Sequence, residues 1–241
     1  MRVRSTVLAV ALLSSASVAS GADDKLPLRI RGTIVSVSAT SVTIKQPDGK
    51  VATAVVLPDV EYNTVEKRRF EQIKSTDFIG ITSMPGPKGT TQAQEIHIIP
   101  KKGFHEGSYP WDFQPDGQKA PSTATSGTVT GIKDDPNSNY TMTNASVTAS
   151  SGMQLKVSYQ GEAVVNGKCI GRASHAKDGK PCTGEATVEV PPWTPIVAII
   201  PGKITDARPG LFTLATGFAY PDGKLTVSVF FLEKHGVKPK F

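Results

Sequence analysis

Two carboxylates and two histidines near the middle of the chain have the side chains that metal chemistry needs. Glu95 and His97 lie two positions apart on the predicted strand Gln92–Ile99, so their side chains share one face of that strand. His105 and Glu106 follow later and could fold back onto them. Imidazole and carboxylate groups together form a ligand set for zinc or copper. The alternative is that Glu95 and His97 occupy the solvated face of a half-buried strand and that no cofactor is bound.

No catalytic motif accompanies these residues. The chain has no Gly-x-Ser-x-Gly elbow, no His-Glu-x-x-His, no phosphate-binding loop and no Cys-x-x-Cys. We therefore expect a binding or accessory protein rather than an enzyme. An enzyme with an unrecognised site is kept as an alternative.

The two cysteines, Cys169 and Cys182, flank a short polar segment with His175 in its middle. In an oxidising compartment, two cysteines at this separation most simply form one disulfide. The alternatives are two free thiols, or two thiolates that bind a metal together with His175. The triplet Gly-Glu-Ala stands on either side of the segment, at 161–163 and at 184–186. We therefore expect an insertion over residues 163–186 that leaves a strand, projects from the fold as a disulfide-closed hairpin, and returns.

An aromatic connector follows the first half of the chain. Residues 101–122 are rich in Gly, Pro, Ser and Asp, and four aromatic residues lie close together at their centre: Phe104, Tyr109, Trp111 and Phe113. Because aromatic rings usually bury their area against a domain, we expect the connector to pack into the groove between the two halves. Tyr109, Trp111 and Asp112 are the candidates for contacts with a ligand or partner.

Strand patterns dominate the rest of the chain. Short segments such as Thr33–Val37 and Ser41–Ile44 alternate apolar with polar residues and are bounded by turn residues. The one helix-like stretch, Val65–Lys74, has helical spacing over one or two turns. Five short strands with a small helical connection after the third are the outline of a five-stranded barrel such as the OB-fold. The sequence therefore predicts an all-β protein.

The strand pattern occurs twice. Val55–Pro58 recurs as Val188–Pro191, and Gly32–Ile34 matches Gly127–Val129 at a smaller offset, so the second copy is longer between its first and third strands. Chance similarity among short strands is the alternative. The repeat predicts two tandem small five-stranded OB-like β-barrels with short helical turns. The predicted boundaries are a leader at 1–22, a first barrel at 23–100, the connector at 101–122, a second barrel at 123–236 that contains the insertion, and a tail at 237–241.

The leader at 1–22 has the pattern of a secretory signal. Arg2 and Arg4 precede the apolar run Val7–Leu13, and small residues follow as far as Ala22. That run is too short to span a bilayer, and no later segment reaches the required length of about 20 residues. The formal charge of +6 is spread along the chain and aromatic residues make up 7%, which argues against a nucleic-acid partner. We expect a soluble protein of the periplasm or the secreted fraction.

Several short motifs in the chain match a known pattern, and Pro110-Trp111-Asp112 is the most specific of them. The others are Arg29–Ile34, Ala93–Ile98, Glu106-Gly107, Ser122–Thr125 and Val190–Pro192. With these motifs, most of residues 28–236 resembles a family of small exported bacterial proteins of unknown function with two β-barrel repeats. Members are sometimes labelled permeases of metal ABC transporters, but a permease needs several apolar spans, which this chain lacks. The chain also has Ser108 where the family has a His after Glu-Gly.

Together these observations predict an exported, non-catalytic binding or accessory module. Its partner would be an unknown protein or small ligand of the cell envelope. Periplasmic metal handling through Glu95, His97, His105 and Glu106 is the alternative function.

Overall fold

The computed structural model describes residues 25–111, 113 and 138–240. Strands dominate it, which confirms the all-β prediction, and the helices in the described residues are 3₁₀ turns of three residues each. The strands are β1 (Leu26–Val37), β2 (Ser41–Lys45), β3 (Val51–Lys67), β4 (Phe78–Pro85), β5 (Thr91–Ile99), β6 (Gly107–Pro110), β7 (Thr141–Ser151), β8 (Gln154–Gly161), β9 (Ala163–Val165), β10 (Lys168–Arg172), β11 (Cys182–Glu189), β12 (Ile196–Pro201), β13 (Phe212–Ala219) and β14 (Leu225–Leu232). The turns are Phe70–Gln72, Pro87–Gly89, Ala173–His175, Lys177–Gly179 and Ile204–Asp206.

Five strands close into a mixed barrel in the order β1-β2-β3-β14-β13, and β13 pairs back with β1. Neighbouring strands are antiparallel except β3 and β14, which are parallel. Alternation along each strand directs apolar side chains inward, and Ile30, Ile34, Ile44 and Phe230 are almost fully buried there. One five-stranded barrel is therefore confirmed.

A second group of five strands pairs in the corresponding order, β7-β8-β11-β5-β4, with β4 pairing back to β7. Its buried core includes Ile79, Ile81, Ile96, Leu155 and Val157. However, β11 and β5 meet at a single residue pair, Glu189 with Gln92. Prolines at 191, 192 and 195 separate β11 from β12, because proline cannot donate to a strand ladder. A second closed barrel is therefore not detected among the described strands.

The strand register contains residue pairs in one group that have counterparts in the other. Val65 of β3 pairs with Ile199 of β12 at the middle of an antiparallel ladder, and the flanking residues pair reciprocally on either side. The parallel pair of Val55 and Thr226 in the barrel likewise has its counterpart in Glu189 and Gln92 of the second group. The two halves therefore present the same segment to each other.

The first described strand of the second group is β7, and the matched segment Gly127–Val129 lies outside the described residues. The pair Ile34 and Ile44 on β1 and β2 corresponds to Val147 and Val157 on β7 and β8. Val55 and its counterpart Glu189 on β11 are further apart along the chain than Ile34 and its counterpart Val147 are. The extra residues therefore lie between β8 and β11, where the insertion stands.

Each strand group is assembled from both halves of the chain. β13 and β14 complete the barrel begun by β1, β2 and β3, while β4 and β5 complete the group of β7, β8 and β11. Barrels made separately from residues 23–100 and 123–236 therefore do not describe the strand pairing. The physical reason is the length of β3, whose 17 residues run past the barrel and bring the chain to the other group.

Parts of three predicted segments are not described. The leader at 1–22 lies outside the described residues, the connector is described as far as residue 111 and at 113, and the tail is described to residue 240. Within the described chain, no helix has the length and apolar character needed to cross a membrane.

Candidate functional site

The connector crosses the junction between the two strand groups. We call this junction the seam: connector residues 103–111 with the residues of β1, β7 and β10 that contact them. Strand β6 pairs with β7 on one side and with β10 of the insertion on the other. A Cβ on Gly107 would overlap the carbonyl oxygen of Gly171, so this close approach of strands requires glycine. The described part of the connector therefore lies between β7 and the insertion.

Two arginines lie over the two main aromatic rings of the connector. The Arg172 guanidinium lies 4.1 Å from the ring centre of Tyr109, and the Arg29 guanidinium lies 3.7 Å from that of Trp111. Tyr109 is buried and Trp111 is half-buried. Such cation–π contacts stabilise by about 0.5–2 kcal/mol each. Arg29 comes from the barrel and Arg172 from the insertion, so the connector is clamped from two sides.

Asn144 of β7 holds the connector by two hydrogen bonds. Its Nδ2 donates to the His105 carbonyl oxygen and to the Tyr109 hydroxyl, each at 3.0 Å. Opposite Asn144, a Cβ on Gly80 would lie 2.7 Å from Asn144 Oδ1 and 3.2 Å from His97 Nδ1. Glycine at position 80 therefore leaves room for both polar side chains.

Glu95 and His97 are buried beneath the seam, not exposed on a solvated strand face. They are 1% and 3% exposed, and His97 Nε2 lies 3.4 Å from Glu95 Oε1. Within the described residues, Glu95 Oε2 has no hydrogen-bond partner. Leaving such an oxygen unsatisfied usually costs about 1–3 kcal/mol. The pair is thus a polar feature that the core tolerates at a cost.

The four residues expected as metal ligands do not form a ligand set. His105 is linked to Asn144 through its backbone carbonyl, and the Glu106 carboxylate accepts a hydrogen bond from the Gln160 amide at 3.0 Å. Across residues 25–111, 113 and 138–240, no three His, Cys, Asp or Glu side chains are placed to hold a metal ion. The pair Glu95 and His97 alone lacks the ligand number of a closed zinc site.

His105 lies near several basic side chains. Desolvation of its imidazole lowers the pKa of His105, and the positive charges of Arg172, Arg29 and His175 lower it further. The three groups therefore lie within electrostatic range of one imidazole. Among the nearby carboxylates, Glu162 lies 3.9 Å from His175 Nδ1. The seam therefore combines these basic groups with the carboxylates of Glu106 and Glu162.

The insertion contains the predicted disulfide. Cys169 and Cys182 are bonded, with Cα atoms 5.8 Å apart. The expectation that the insertion projects is wrong, because Cys169 is buried and the Tyr159 hydroxyl donates to its carbonyl oxygen at 2.9 Å. Ala173 also donates its amide to the Glu106 carbonyl at 2.9 Å. The insertion is one wall of the seam.

Sequence reasoning found Tyr109 and Trp111 but missed Arg29, Asn144 and Arg172. These three come from β1, β7 and β10, and no local pattern links them. The one available signal was the position of Arg29 at the start of Arg29–Ile34, one of the motifs on which the family resemblance rests. The third connector candidate, Asp112, lies outside the described residues.

A comparison of the chain with protein-family models, curated proteins and solved structures finds no match. The resemblance based on short motifs therefore stays a prediction.

Proposed function

We propose that the protein is an exported binding module without catalytic activity, and that it holds a carboxylate-bearing ligand at the seam. The observation that carries this proposal is the pair of arginines, Arg29 and Arg172, stacked on the connector rings in the surroundings of His105. Guanidinium groups bind carboxylates through charge-assisted hydrogen bonds, which are stronger than bonds between neutral groups.

The stacked arginines suit the recognition of a carboxylate. A guanidinium that lies flat over a ring keeps its N–H donors in its own plane, where they can point past the ring edge. The Arg29 guanidinium lies over the Trp111 ring and the Arg172 guanidinium over the Tyr109 ring. The stacking also restricts side-chain freedom before a ligand arrives, which lowers the entropy cost of binding.

The barrel supports a binding role. In our interpretation its strand order is that of an OB-like barrel. Among its five strands in chain order, the third, β3, is parallel to the fifth, β14. We regard the second strand group as an open version of the same unit. Small barrels of this type commonly serve as binding modules.

Export is supported by two observations. The Cys169–Cys182 disulfide is consistent with an oxidising compartment outside the cytoplasm. The leader pattern at residues 1–22 and the resemblance to an exported family agree with it. We place the protein in the periplasm or the secreted fraction.

The test is a calorimetric titration of the full mature chain with citrate and with N-acetylglutamate at constant ionic strength, with glucose as the uncharged comparison. We expect saturable binding of the carboxylates. Arg172→Gln should weaken it about tenfold or more, because a charge-assisted hydrogen bond contributes about 1.5–3 kcal/mol. Arg172→Lys should be intermediate, since lysine keeps the charge and loses the planar fork.

Lys45→Gln is the matched control, because it removes one positive charge from an exposed position on β2. It should bind as the wild type does. Equal weakening by Arg172→Gln and Lys45→Gln would mean diffuse attraction to net charge, and this would overturn the seam as the site. Absence of carboxylate binding by the wild type would overturn it as well.

A further inference from the structure

Trp193 lies on the surface with 74% of its area exposed. In the described part of the chain, the other large apolar side chains of comparable exposure are aliphatic. Val55 and Glu189 are corresponding residues, because each forms the equivalent parallel pair, with Thr226 and with Gln92. Trp193 follows Glu189 by as many residues as Asp59 follows Val55, so Asp59 is its equivalent in the first copy. The second copy therefore places an indole in water where the first copy has a carboxylate, and the core gains nothing from it.

A turn framed by prolines holds this indole. The Thr194 amide donates to the Pro191 carbonyl at 2.9 Å and closes the turn around Pro192 and Trp193. The Thr194 hydroxyl donates to the Ala93 carbonyl at 3.2 Å and ties the turn to the start of β5. Proline restricts the backbone angle φ, so the backbone of the turn that carries Trp193 has little freedom before any ligand binds.

Two connections of the second strand group flank the turn. The β4–β5 connection at residues 86–90 is joined to β11 by a hydrogen bond of 3.3 Å from the Thr90 hydroxyl to Glu189. The β7–β8 turn is joined to the residue that follows β11 by a hydrogen bond of 2.8 Å, which the Val190 amide donates to the Met153 carbonyl. In OB-type barrels, the corresponding two connections border the face that binds ligands. Trp193 therefore stands at the end of the group where a ligand is expected.

The side chains beside the turn fit a neutral sugar. Glu189 supplies a carboxylate and Gln92, paired with it, supplies an amide, and both can hydrogen-bond to hydroxyl groups. Lys88 is the one basic residue in segments 86–90, 152–153 and 191–195, whereas a single-stranded nucleic acid needs a positively charged groove. An indole face beside polar groups matches a pyranose ring, which has an apolar C–H face and a rim of hydroxyls.

We propose that Trp193 stacks on a pyranose ring of a neutral β-linked oligosaccharide, with Glu189 and Gln92 bonded to its hydroxyls. A β-linked chain presents its ring faces in a flat ribbon, which suits one exposed ring on a rigid turn. This surface is separate from the seam and does not depend on the function proposed there.

The test titrates the full mature chain with cellohexaose and with chitohexaose, followed by tryptophan fluorescence and calorimetry. We expect saturable binding with a blue shift of the emission. Trp193→Ala should weaken binding about tenfold or more, and Trp193→Phe should retain most of it, since a smaller ring still stacks. Trp193→Ala should keep the wild-type melting temperature, because the exposed ring supports no packing.

Val164→Ala is the matched control, because Val164 is 63% exposed on the hairpin of the insertion. It should bind both sugars as the wild type does. Binding by Trp193→Ala equal to that of the wild type would overturn the proposal, as would failure of the wild type to bind either sugar at millimolar concentration. Loss of self-association in Trp193→Ala without any sugar binding would assign the ring to a contact between copies instead. Arg172→Gln should leave sugar binding intact, so the two proposals fail separately.

Discussion

At the scale of single residues, Glu95 and His97 differ in polarity from the residues at the corresponding positions of the barrel. The β-bulge of β4 and β5 beside Glu95 recurs in β13 and β14 beside Val229, so Glu95 corresponds to Val229 and His97 to Phe231. Phe231 is buried in a small apolar cluster with Leu214 between the two groups. The second group thus has a carboxylate and an imidazole where the barrel has two apolar side chains. Since each polar atom there loses water, the pair must act as a unit.

We expect His97→Phe alone to lower the free energy of unfolding by about 1–3 kcal/mol, because it leaves the Glu95 carboxyl buried beside an apolar ring. The double variant Glu95→Val/His97→Phe copies the barrel and should regain most of that loss. Urea denaturation of both variants and the wild type measures the difference. A double variant less stable than His97→Phe would contradict this interpretation.

Among the elements, the insertion connects the most distant parts of the seam. Its strand β10 pairs with β9 to form a hairpin and with the connector strand β6. Its Arg172 covers Tyr109, and its Cys169 packs in the core of the second group. The disulfide holds one end of β10 next to the start of β11. The element therefore determines how firmly the connector is held.

Replacing both cysteines by alanine should lower the free energy of unfolding by about 3 kcal/mol, the value of the chain-entropy estimate for a loop of this size. We also expect faster amide hydrogen exchange in β6, because β10 is its edge partner. Urea denaturation and exchange followed by mass spectrometry measure the two effects. Unchanged protection of β6 would show that the disulfide stabilises only its own loop.

At the scale of the whole molecule, strand exchange joins the two halves. Besides the shared barrel and the β3–β12 ladder, the Lys234 ammonium after β14 lies 2.7 Å from the Glu66 carboxylate at the end of β3. Hydrogen bonds from Lys234 and Arg68 lower the pKa of Glu66. Neither half can complete its strand group without the other, so the two halves should unfold together.

The exchange predicts a specific cross-link. Ser83 of β4 stands directly opposite Thr141 of β7, at a separation typical of cross-strand pairs and of disulfides. The variant Ser83→Cys/Thr141→Cys should form a second disulfide on oxidation, identified by peptide mass spectrometry without reductant. The control Ser83→Cys/Ser150→Cys should not, because Ser150 pairs with β8. Cross-linking in neither variant would argue for barrels built from separate halves.

The sequence alone was enough for the properties that depend on local pattern. Alternation of apolar and polar residues predicts the all-β class, which the structure confirms, whereas the two copies of one strand unit that the recurring segments indicate stay a prediction. The disulfide between Cys169 and Cys182 also follows, because the chain has two cysteines and their separation allows closure. In each case the information lies within a few residues or in a direct match between two segments.

The tertiary structure alone decided which strands pair and therefore where a site forms. The last two strands of each copy have nearly the same lengths as those of the other copy, so strand length does not select the partner. Strand β3 is continuous and belongs to the closed barrel. Prolines divide its counterpart in the second group into β11 and β12, and no second closed barrel is detected there. Arg29, Asn144 and Arg172 meet at the seam only as a result of this strand pairing, because a binding site depends on distances in space that no spacing along the chain records.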